Sequence, residues 1–133
     1  MKAIKRSIFT AAAGLLLAAL PVLAHHSFAA EYDKDKPIKL TGTVTKLEWM
    51  NPHARFYVDV KDDQGTVTHW EFELAALNAL IRKGWNRNSL KPGDVITVDG
   101  FLAKDGSHLV NAKSVVMADG KTVFVGSANE ESK

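Results

Sequence analysis

The sequence has no cysteine, which excludes disulfide staples, thiolate metal ligands, thiol nucleophiles and lipid attachment through a processed N-terminal Cys. It has one long uncharged apolar run, Ile8 to Leu20, and Pro21 ends it. That run falls short of the ~20 apolar residues a membrane span requires. Neither sign of charge dominates, with 17 basic and 15 acidic residues, so the charge balance gives no reason to expect nucleic acid or anionic lipid as a partner. No serine sits in a nucleophile elbow, and no glycine-rich loop suits a phosphate. What the sequence does contain is an apolar N-terminus, alternating β-type segments and five histidines.

Lys2, Lys5 and Arg6 precede the apolar run, and Val22-Leu23-Ala24 follows it. This is the pattern of a secretory signal peptide over residues 1-24, cut after Ala24. The expected location is therefore periplasmic or secreted, with no stable membrane anchor after cleavage. Cleavage removes three basic residues and no acidic one, leaving 109 residues with 14 basic against 15 acidic side chains. That length suits one domain with one core. All five histidines fall in the mature part.

Residues 25-37 are polar and aperiodic, an N-terminal arm ahead of a barrel domain at 38-125 and a disordered tail at 126-133. From Ile38 to Trp49 the apolar residues change phase between Val44 and Leu47, as in a long strand with a bulge. Phe56, Val58 and Val60 alternate with polar residues, as do Trp70, Phe72 and Leu74. The polar Asp62-Asp63-Gln64-Gly65 link between them predicts a hairpin. Ala75 to Lys83 carries Ala76, Leu77, Leu80 and Ile81 at helical spacing, with Gly84 placed to end the helix. Strands follow at Val95 to Ala103 and Leu109 to Met117, after turns at Lys91-Pro92-Gly93-Asp94 and Lys104-Asp105-Gly106-Ser107. The predicted fold class is mostly β, a small five-stranded OB-like barrel with one short helix between strands three and four. An open five-stranded sheet with a helix across it is the alternative.

The strings His25-His26-Ser27-Phe28 with Glu31-Tyr32-Asp33, Gly42-Thr43-Val44 with Glu48-Trp49, Asn51-Pro52-His53-Ala54, Trp70-Glu71-Phe72-Glu73, Gly84-Trp85 and Ser89-Leu90-Lys91-Pro92-Gly93-Asp94 resemble a family of small exported bacterial proteins classed as a domain of unknown function. The resemblance spans nearly all of the mature chain. It implies export and supplies no activity, substrate or cofactor. The Lys91-Pro92-Gly93-Asp94 turn and the strand after it are also distantly similar to periplasmic OB-fold proteins that bind small ligands or cations.

Cleavage after Ala24 would expose His25 as the N-terminal residue. Its α-amine, with an ordinary pKa of about 8, and its ring nitrogen could then chelate one ion. Such nitrogen sets favour copper among the divalent first-row ions. His53 follows the first strand and His108 precedes the fifth, two connections expected to share one rim of the barrel. The expected metal ligands are therefore His25 and His53, with His26 or His108 in support. His69 reads as surface, and Glu71 and Glu73 as solvated charge. Trp49, Asn51 and Arg55 form a candidate ligand rim. The leading expectation is a periplasmic binding module, not an enzyme, whose partner is copper or a similar ion. One alternative is a small organic ligand or protein partner at that rim. Another is a copper-dependent oxidase with a histidine brace.

Overall fold

The computed structural model describes residues 28–126. The expected leader, His25 and His26, and the tail from residue 127 lie outside the described residues. A helical turn at 28–31 leads into β1 (Tyr32–Glu48), followed by β2 (Arg55–Lys61), β3 (Val67–Glu73), α1 (Leu77–Arg82), β4 (Val95–Ala103), β5 (Leu109–Met117) and β6 (Thr122–Val125).

The long β1 serves two neighbours. Its first part pairs antiparallel with β4 as far as Thr43↔Val95, and its last part pairs with β2 from Thr43↔Asp59 onward. The register shifts between Val44 and Lys46, where the sequence predicts a bulge, and the extra residue bends the strand from one partner to the other. β2 and β3 form the expected hairpin. β3 then closes onto β5 in parallel, Glu71↔Leu109 to Glu73↔Asn111, while β5 pairs with β4. The circuit β1-β2-β3-β5-β4-β1 is the closed five-stranded OB barrel.

The core follows from alternation. Phe56 and Phe72 stack at 4.9 Å between centroids, packed with Val44, Val58, Leu74, Leu80, Ile96, Val98, Val110 and Val115. Gly42 and Gly100 are needed at two strand contacts, because a Cβ there would run into the carbonyl oxygens of Asp59 and Asn111 respectively. The helix ends in a Schellman motif. Trp85 N–H donates to the Leu80 carbonyl at 2.9 Å and Gly84 N–H to that of Ile81 at 3.0 Å, with Gly84 at φ +87°.

Three features depart from the expected layout. β1 begins at Tyr32, inside the stretch expected to be an arm, and Tyr32 is buried. The exposed residues Lys34, Asp35 and Lys36 fall where the β1–β4 register shifts between Tyr32 and Pro37, which hides the strand's period. β6 is a sixth strand, pairing with β5 and placing Phe124 in the core against Trp85. At four residues it is too short to show alternation. The helix is shorter than Ala75 to Lys83, and Ile81 is 55% exposed instead of joining the core.

Candidate functional site

The β2–β3 hairpin turns Phe56, Val58 and Phe72 inward, so Arg55, Tyr57, Asp59, His69, Glu71 and Glu73 share its outer wall. Pairing sets Arg55 opposite Glu73, Tyr57 opposite Glu71 and Asp59 opposite His69. Each of these three rungs therefore joins a carboxylate to a side chain that can donate a hydrogen bond.

Glu73 is the hub. Its Oε1 meets His53 Nδ1 at 2.7 Å, and its Oε2 accepts from the Tyr32 hydroxyl at 2.7 Å and from Arg55 Nη2 at 3.4 Å. Arg55 Nη1 donates to Glu71 Oε1 at 2.6 Å, and the Tyr57 hydroxyl reaches the same oxygen at 3.3 Å. Glu73 is buried, at 4% exposure. Burial alone would raise its pKa, but the bonds from His53 and Tyr32 and the charges of His53 and Arg55 outweigh it and hold the carboxyl below its ordinary range. The Tyr32 hydroxyl is pushed strongly upward by burial and by Glu73. Burial, a hydrogen bond with Glu48 and the charge of Glu71 push Tyr57 up to about 12. Both phenols therefore stay protonated at neutral pH and serve as donors. The Arg55 guanidinium is held more firmly protonated by its bond to Glu71.

This network orients His53. With Nδ1 engaged by the carboxylate, the ring is held in one orientation, and carboxylate-to-imidazole bonding of this kind fixes metal-ligating histidines.

The chain's first described residues dock beside this hub. Phe28 packs on Tyr32, with centroids 5.6 Å apart, and edge-on to Phe101 at 6.0 Å. Lys104 N–H donates to the Glu31 carbonyl at 2.8 Å, and Lys104 Nζ reaches the Ala29 carbonyl.

A model of a family of unknown function (DUF6152) matches residues 12–111. The chain belongs to that family. No curated protein matches this DUF6152 chain. Among solved structures it is similar to the dimeric N-terminal domain of PriB protein from Thermoanaerobacter tencongensis. The two share 18% identity over 64% of this chain and 98% of that one, with a TM-score of 0.45. The OB assignment of the DUF6152 chain rests on the closure of β3 onto β5, not on that likeness.

The remaining candidate residues have differing surroundings. The His108 ring stacks on Trp70 at 4.6 Å and its carbonyl accepts from Glu71 N–H, so it has different partners from His53. Of the candidate rim, Trp49 packs partly buried against the core, Asn51 is exposed, and Arg55 belongs to the Glu73 network. The His69 side chain is 83% exposed and contacts Asp59. Among the described residues, no group of three or more His, Cys, Asp or Glu side chains could hold a metal ion. The sequence gives no sign of the role of Tyr32, and its reading of Glu71 and Glu73 as solvated charge is corrected here: Glu73 is buried and both carboxylates bond Arg55, which turns them from water into one network. The hairpin closed at Asp62-Asp63-Gln64-Gly65 carried the missing signal, since its register opposes Arg55 to Glu73.

Proposed function

We propose that the protein is exported, is cut after Ala24, and serves as an OB binding module that takes up a copper ion or a similar one. His25 contributes its α-amine and ring, His53 contributes the second imidazole, and His26 or His108 lends support. The observation that carries this reading is the packing of Phe28 on Tyr32, whose hydroxyl bonds the same Glu73 that holds His53 by Nδ1. His25 lies three residues before Phe28 in the chain, so its Cα is at most about 11 Å from that of Phe28 by covalent reach alone. An amine and two imidazoles brought together there would make a nitrogen set suited to Cu(II). The barrel's role is to present His53 in one orientation, and the hub supplies the bonds that keep it there.

The mass of the exported protein should correspond to a chain starting at His25; a different start would remove the first donor. Mature protein is then titrated with Cu(II) and Zn(II) beside a version extended by one N-terminal alanine. The extended protein, whose His25 nitrogen is an amide, should bind Cu(II) more weakly. Equal affinities would contradict the reading.

A further inference from the structure

Asn111 stands on β5 opposite Glu73 of β3 and Phe101 of β4. Its neighbours Val110 and Ala112 belong to the core, so alternation turns Asn111 to the outer wall. A polar side chain on an outer wall is ordinarily wet. Asn111 is instead fully buried, and neither its Oδ1 nor its Nδ2 has a hydrogen-bond partner. Stranding a donor and an acceptor away from water is costly, and buried amides in folded proteins nearly always find partners.

The start of the chain reaches both cross-strand neighbours of Asn111. Phe28 lies against Phe101 and Tyr32, Tyr32 bonds Glu73, and the Glu31 carbonyl accepts from Lys104 N–H. These contacts stabilise the covered state. Uncovering the wall would return water to the Asn111 amide. The two effects oppose each other on one small segment.

We propose that residues 28–32 form a clasp whose docking is stabilised by the Tyr32–Glu73 bond and the Phe28 packing, and opposed by the Asn111 amide that docking strands. Asn111 thereby keeps the clasp able to open. Because Glu73 bonds both Tyr32 and His53, an ion held jointly by His53 and the chain's first residues favours the docked clasp, and docking in turn favours the ion. This last link rests on the metal reading above. The clasp would then govern how fast an ion enters and leaves.

Hydrogen exchange at the Lys104 amide reports docking directly, since that amide donates to Glu31. It is measured in mature protein starting at His25, without metal and then with Cu(II). Asn111→Leu and Asn111→Val remove the stranded amide and should slow exchange by about tenfold; Tyr32→Phe should speed it. Unchanged or faster exchange in the folded Asn111 variants would overturn the clasp, as would unchanged exchange in Tyr32→Phe. Added Cu(II) should slow exchange further in the unsubstituted protein. If the variants shift exchange as expected but Cu(II) neither binds nor protects, the clasp stands and the metal reading falls. If Cu(II) binds while the Asn111 variants exchange no more slowly, the clasp falls and the metal reading stands.

Discussion

The β2–β3 hairpin presents two histidine–carboxylate pairs on one outer wall, His53 with Glu73 near its open end and His69 with Asp59 nearer its turn. In both, Nδ1 of the ring meets a carboxylate oxygen. The His69 and Asp59 side chains are 83% and 36% exposed, so water and salt screen their attraction. Glu73 has 6% of its side chain exposed, and its two oxygens also serve Tyr32 and Arg55. The contrast shows that a histidine touching a carboxylate does not by itself mark a site. Water exclusion and a carboxylate held from several sides give one ring a fixed orientation, and only the first pair has them.

The largest effect should come from removing the hub. Glu73→Ala leaves Tyr32, His53 and Arg55 without their shared acceptor and should destabilise the fold by roughly 3 kcal/mol, the cost of breaking a buried ionic network. Urea unfolding measures it. A loss no larger than that of Asp59→Ala would erase the distinction between the two pairs. The next effect is a pH dependence. Glu73 has a folded pKa below its ordinary value of 4.5, so its stabilising share is complete above that value and is lost as pH falls through the lower folded one. Glu73→Gln should flatten this acid limb in unfolding curves taken across that window, and an unchanged limb would place the acid sensitivity elsewhere. The smallest effect should be that of Asp59→Ala, about 0.5 kcal/mol or less, as for exposed pairs generally.

Much of the barrel is legible in the sequence because its strands alternate cleanly. Phe56, Val58, Trp70 and Phe72 announce the hairpin, and the phase change between Val44 and Leu47 marks the bend that lets one strand serve two partners. The start of β1 is less legible, since Lys34, Asp35 and Lys36 interrupt the period while Tyr32 on their far side is buried. The site is harder to read than the fold. Glu71 and Glu73 sit on the polar face of their strand, and alternation alone cannot tell a face open to water from one covered by the chain's own beginning. Composition makes His53 and His69 equivalent. Their difference arises because Tyr32, with Phe28 packed on it, returns to bond Glu73 at one end of the hairpin wall, a long-range contact with no local signature.

Under the proposed metal reading, His53 is the histidine that the wall prepares for an ion. Cu(II) affinity should be measured by titration for mature protein starting at His25, beside His53→Ala and His69→Ala. His53→Ala should weaken binding by more than the roughly 10- to 100-fold that losing an outer supporting group costs, with His69→Ala indistinguishable from the unsubstituted protein. Equal losses in the two variants, or no loss in His53→Ala, would contradict it.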